Sequence, residues 1–277
     1  MAGPKRALCV GINHFKNYPG AQLNGCVNDA NNMKELLTKY LEFAADDVQL
    51  LTDAQATKAK IMGALTKLVD AAVAGKLTHL VFSLSTHGTQ VPDLDDDEGD
   101  NADEAFCPHD LAEKNEDWDP DRIITDDELH ALFLRVPKTV RVECFFDTCH
   151  SGTGLKAIDF MPSRKVRWLP PPTPIAIDNL GGRTAKGLAG RLDEKGVEHA
   201  ILWAGCKASQ TSADAKIGKA WYGAFTYYLH ARMKAANGKI KRSELLKLIR
   251  DDLKLNRYTQ VPQLDSSRTQ KTGVIGS

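Results

Sequence analysis

The run VECFFDTCHSG (142–152) closes an apolar segment with a carboxylate, a thiol and an imidazole: Asp147, Cys149 and His150. A second apolar run, HLVFSLS (79–85), leads directly into Thr86, His87 and Gly88. A thiol titrates near about 8.5 and an imidazole near about 6.5, so a histidine beside Cys149 can draw its proton and leave a thiolate nucleophile for acyl transfer. His87 and His150 both qualify by type. Neighbours on extended chain point apart, which favours His87, arriving from a different strand, as the base. Residues two apart share a face, so Ser85 goes with His87 and Asp147 with Cys149. Gly88 and Gly152 permit close backbone approach, and the N–H groups of Gly88 and Cys149 are candidate donors to an oxyanion. Strand-end cysteines and histidines are more often inert, so the residues alone leave a Cys–His hydrolase and a structural thiol both open.

The elements that must position these groups are legible from periodicity. RALCVGI (6–12), VQLLTD (48–53), HLVFSLS and VRVECFF (140–146) read as strands, and residues 26–41, 58–74 and 124–136 carry apolar positions at helical spacing. HAILWAG (199–205) is a further strand, followed by helices through AFTYYLHARMKAA and RSELLKLIRDDLKL and by QVPQLD near the end. Strands alternating with helices predict an α/β fold: an open, mainly parallel sheet flanked by helices on both faces, with ligands beyond the carboxyl ends of the strands. Residues 1–155 form the larger catalytic portion and 199–277 a smaller portion completing the same sheet. Between them, 156–198 is rich in Pro, Gly and Arg, lacks apolar periodicity and reads as an exposed connection. Its Arg164, Lys165, Arg167, Arg183, Lys186 and Arg191 are candidate cleavage sites.

Composition narrows the function classes. The 277 residues carry 36 basic and 36 acidic side chains, which gives no global case for nucleic acid or an anionic membrane. No apolar stretch reaches the roughly 20 residues of a membrane span, and the start is too short for a secretory signal, so the expectation is cytoplasmic. Six cysteines without CxxC pairs argue against a disulfide framework or a structural zinc. No P-loop or GxGxxG follows an early strand, which disfavours a nucleotide-binding protein.

STHG (85–88) and DTCHSG (147–152) resemble the paired catalytic blocks of the metacaspases, a family of caspase-like cysteine peptidases. ALCVGINHF, LNGCVNDANNM, HGTQVPDLDDDEGDNADEAFCPHD, RIITDDEL, GCKASQTSAD and GAFTYYL resemble further blocks in family order. Thr86 stands where the family has a glycine. The resemblance implies a caspase-like fold, Cys149 as nucleophile, His87 as base, polypeptide substrates cut after Arg or Lys, self-cleavage in the connection, and a monomer. It places Cys26, Asp29, Ser85 and Asp147 in the pocket for the P1 side chain, the residue just before the scissile bond. It also implies calcium held by Asp103, Asp126 and Asp127. The fourth carboxylate of the family aligns near Lys156, with Asp159 reachable only by a loop shift. The acid run 93–104 imitates an EF-hand loop, but Glu98 occupies its sixth position and a strand precedes it, so it reads as a solvated loop or a flexible source of calcium ligands. A paracaspase-like, calcium-independent peptidase and an inactive caspase-like scaffold are the alternatives.

Overall fold

Strand β1 (Lys5–Gly11) shows why the chain must be sandwiched: Leu8 and Val10 bury on one face, Ala7 and Cys9 on the other. A strand apolar on both faces needs helices on both. The structure, a computed structural model, describes residues 4–92, 102–149, 162–173, 200–207 and 209–275. From β1 the chain enters α1 (Cys26–Tyr40), β2 (Val48–Thr52), α2 (Lys58–Val73) and β3 (His79–Ser85). Shorter strands follow: β4 (Gly88–Pro92), β5 (Ala102–Phe106), β6 (Glu113–Lys114), β7 (Asp117–Trp118) and β8 (Ile124–Thr125). Next come α3 (Asp126–Leu134), β9 (Arg141–Asp147), β10 (Arg164–Val166), β11 (Ala200–Ala204), β12 (Ala213–Ile217) and β13 (Ala220–Gly223). Helices α4 (Ala224–Ala235) and α5 (Arg242–Leu255) and strand β14 (Gln263–Asp265) lead into a last short helix.

Among the described residues the main sheet runs β14-β11-β9-β3-β1-β2, parallel except for the edge strand β14. Helices α2 and α3 pack Ile61, Leu65 and Phe133 against one face; α1, α4 and α5 pack Leu37, Phe225 and Ile249 against the other. β11, from the far side of the connection, pairs directly with β9, so both portions share one sheet. The open, mainly parallel sheet expected from the strand–helix alternation is the architecture observed. Strand order reverses beside β1, where β2 lies on one side and β3 on the other, and the chain leaves β3 and β9 at the carboxyl end of that crevice.

The connection departs from expectation in its described part. Arg164–Val166 is a strand, pairing antiparallel with β12, and Arg167 is fully buried instead of exposed. The reason is physical: one short strand seated in a polar cleft carries no apolar periodicity to read. Residues 174–199, His150–Met161 and the acid run 93–101 lie outside the described residues, and with them His150, Gly152, Lys156, Asp159, Arg183, Lys186 and Arg191.

Candidate active site

In-register pairing of β3 with β9 sets Ser85 level with Asp147, so the residues just beyond each strand end, His87 and Cys149, arrive side by side at one crevice. Both are buried, His87 at 5% exposure and Cys149 at 0%. His87 Nε2 lies 2.7 Å from the Ala21 carbonyl. A carbonyl only accepts, so Nε2 carries the ring hydrogen and Nδ1 is the basic nitrogen. Nδ1 is buried and has no hydrogen-bond partner among the described residues. Burial pushes the imidazole down to about 4, which leaves it neutral near pH 7. The Cys149 thiol donates to Ser212 O at 3.3 Å and its sulfur accepts from Ser212 N–H.

Between these two residues lies the backbone of Arg167. Its carbonyl accepts from Gly88 N–H at 2.9 Å and Cys149 N–H at 3.3 Å, the two amides expected to form an oxyanion hole. Its own N–H donates to Ser212 O at 3.1 Å, and beyond it Leu169 N–H donates to Gly88 O at 3.0 Å. Val166, Lys165 and Arg164 face Ala213, Asp214 and Ala215 across an antiparallel ladder. The segment is therefore laid into the crevice as an added strand, the way an extended peptide joins a sheet edge.

The Arg167 guanidinium enters a pocket of carboxylates. Nη2 donates to Asp29 Oδ2 at 2.7 Å and to Asp214 Oδ1 at 3.0 Å; Nη1 donates to the Asp147 carbonyl at 3.0 Å and lies 3.4 Å from Asp147 Oδ1. Asp29 is delivered by the first turn of α1, which opens at the buried Cys26. Burial would lower the Arg167 pKa, but Cys26, Asp147, Asp29 and Asp214 around it drive it well above its ordinary value. Burial also pushes the Asp29 carboxyl up to about 7, with Arg167 opposing and Asp147 reinforcing. Asp147 is anchored separately: Oδ2 accepts from the N–H and hydroxyl of Thr226 at 3.0 and 2.8 Å, and Oδ1 accepts from Ser212 Oγ at 2.5 Å. Thr226 lies in the first turn of α4, where unpaired N–H groups favour a carboxylate.

The structure thus gathers His87, Gly88, Cys149, Cys26, Asp29 and Asp147 around one point, with Ser85 at the end of the strand beneath. Sequence reasoning missed Asp214, Ser212 and Gly223, and it named Arg167 only as one of six basic candidates for cleavage, without its place in this pocket. The first two lie within GCKASQTSAD, noted above as a block without a role for each residue. The expected calcium ligands sit apart from this point. Asp103 and Asp127 line a cleft of about 430 Å³ with Asp117 and Glu128, while Asp126 is buried where α3 begins. Among the described residues no group of three or more His, Cys, Asp or Glu could hold a metal ion. No described helix is long and apolar enough to cross a membrane.

Residues 5–158 match the family described as metacaspase, peptidase C14 domain. Metacaspase-1A of Aspergillus fumigatus is 33% identical over 314 residues, an alignment covering 99% of this chain and 71% of that one. Metacaspase-1 of Coccidioides immitis is also 33% identical, with 99% of this chain and 63% of its own covered. Among solved structures, Caspase-1 from Spodoptera frugiperda superposes with a TM-score of 0.60 at 12% identity, covering 95% of this chain and 86% of the other. A Geobacter sulfurreducens protein superposes with a TM-score of 0.67 at 24% identity, covering 99% and 98%. At those identities the two structures share the fold, which is caspase-like.

Proposed function

This chain belongs to the metacaspase family of cysteine-type peptidases, and from that premise we propose that it is an endopeptidase cutting after arginine, with Cys149 as nucleophile and His87 as general base. One observation carries the reading: Arg167 lies in the crevice in the pose a substrate would take, its side chain among three carboxylates and its carbonyl on two amides. The bond so presented is Arg167–Trp168. His87 Nδ1 takes the thiol proton, the sulfur attacks the Arg167 carbonyl carbon, and the negative charge that develops on oxygen falls to the Gly88 and Cys149 N–H groups. The same imidazole returns the proton to the leaving Trp168 amine, and a water activated by His87 then releases the acyl group. The thiol hydrogen currently points to Ser212 O, so transfer to His87 requires the thiol to turn.

Arginine suits the pocket better than lysine because its planar fork reaches Asp29, Asp214 and Asp147 together, and a compact ammonium cannot. An acidic P1 residue would add a like charge to a buried anionic pocket. Incubating the intact protein and sequencing new amino termini tests the proposal. The expected product begins at Trp168, and Cys149→Ala should give none. Cleavage confined to other bonds, or undiminished in Cys149→Ala, would sink the assignment.

We further propose that calcium raises the activity, a reading supported by Asp103 and Asp127 in one cleft. Hard carboxylate oxygens are the ligands calcium takes, and neutralising them relieves their mutual repulsion. Turnover in millimolar calcium should exceed turnover with excess chelator, and calorimetry on Asp127→Asn should show weaker binding. Equal rates with no measurable binding would instead favour a calcium-independent, paracaspase-like peptidase.

A further inference from the structure

Three residues before Arg167, the side chain of Arg164 is held in a site of its own. Its Nη1 donates to the Arg257 carbonyl at 2.8 Å and its Nη2 to the Asn256 carbonyl at 3.0 Å. The guanidinium carbon sits 4.0 Å above the centre of the Tyr258 ring. These three residues form the exit of α5. The N–H groups of Asn256, Arg257 and Tyr258 are spent on Asp252, Lys254 and Leu253 carbonyls within the helix end, and Arg257 takes a left-handed φ of 59°. Their own carbonyls are thereby turned outward at the terminus, where the helix dipole concentrates negative charge. Tyr258 is held by an edge-on contact with Tyr228, which in turn meets Tyr227 edge-on. The result is a flat aromatic floor with two acceptors at one rim, a shape that fits a planar, fork-like cation.

We propose that Tyr258 with the Asn256 and Arg257 carbonyls is a substrate subsite selecting arginine at P4, three residues before the P1 arginine. The enzyme's preferred substrates are accordingly segments with two arginines at that spacing. This rests on the reading of Arg167 as the P1 residue. The antiparallel register supplies the spacing, because Arg164 opposite Ala215 and Val166 opposite Ala213 put both side chains on one strand face, while Lys165 and Arg167 share the other. Lys165 Nζ donates to the Gln22 carbonyl at 2.7 Å, a contact at an exposed rim.

The test compares fluorogenic peptides on the self-processed enzyme with calcium present: Arg-Lys-Val-Arg, Ala-Lys-Val-Arg, Lys-Lys-Val-Arg and Arg-Lys-Val-Ala. The expected kcat/KM for arginine at P4 is about tenfold above alanine, with lysine between, in line with a partly exposed cation–aromatic contact plus charge-assisted hydrogen bonds. Tyr258→Leu should compress that ratio to within about twofold. In the intact chain, Arg164→Ala should slow the appearance of the Trp168 amino terminus by a similar factor, a readout that needs no altered enzyme core. Equal cleavage of the arginine and alanine P4 peptides, with Arg-Lys-Val-Ala still refused, would overturn the subsite and leave the P1 reading standing. Ready cleavage of Arg-Lys-Val-Ala, or a wild-type chain that cuts neither peptides nor itself, would overturn both.

Discussion

A methyl group added at Gly223 would meet Asp147 Oδ2 first and stand 2.5 Å from Arg167 Nη1 and 2.7 Å from Asp29 Oδ2, against the guanidinium and both carboxylates. Gly223 also donates its N–H to both oxygens of Asp29, so its backbone cannot retreat without releasing the carboxylate. Overpacking of this kind costs about 1–3 kcal/mol in a rigid core, and here it also displaces a charge-assisted contact. Gly223→Ala is therefore expected to lower kcat/KM on arginyl peptides by about a hundredfold. Alkylation of Cys149 by iodoacetamide in the processed enzyme should change by less than about threefold, since the thiol lies outside the pocket. Undiminished cleavage after arginine would show that the P1 side chain goes elsewhere. Asp147 illustrates a different residue-level lesson. Read as a lead contact for the P1 side chain, it offers the guanidinium a carbonyl oxygen and one carboxylate oxygen at 3.4 Å, while its other carboxylate oxygen serves Thr226.

The Arg167 side chain helps anchor strand β10, and Asp29, Asp147 and Asp214 depend on it for their counter-charge. Removing one partner of a buried ion pair costs about 3–5 kcal/mol when the other stays dry. Arg167→Ala is expected to release the segment and admit water to the carboxylates. Limited proteolysis of the uncut chain should then strike 162–173 at least about tenfold faster, and iodoacetamide should reach Cys149. Protection equal to wild type would mean that the ladder and the Arg164 and Lys165 contacts hold the strand without the Arg167 side chain. The long elements were legible because packing imposes a period on them: β3 and α5 fall on the residues expected, and α3, opened by a Thr125–Glu128 capping box, lies within the span 124–136. The strands β4, β5, β8, β12 and β13 were not, being short and paired within small sheets of their own. His87 and Cys149 could be singled out because each follows an apolar strand. Arg167 could not, since nothing local distinguishes it from Arg164 or Arg183; its role arises from the pocket that only the folded chain assembles.

For the molecule as a whole, two histidines bracket the central strand and answer to acid in the same sense. Burial pushes both His79 and His87 down to about 4 from an ordinary value near about 6.5. The unfolded chain thus binds protons that the folded one refuses, and stability falls as pH drops from about 6.5 towards 4. Asp29, raised to about 7, has the opposite sign, but one carboxyl works against two imidazoles over that interval. Thermal unfolding should show a falling midpoint below about pH 6.5, and His79→Gln should flatten the slope; a midpoint constant from pH 7 to 4.5 would contradict the burial of both rings. The docked segment sets a different property of the molecule. Arg167 lies 18 positions after Cys149 on the same chain, so a tether this short holds the Arg167 carbonyl at Cys149 at an effective concentration no free peptide matches. A cut at Arg167–Trp168 would consequently be unimolecular: its half-time would belong to each molecule separately and would not lengthen on dilution. A population would count down at one rate whether crowded or sparse, and each molecule could make that first cut once only.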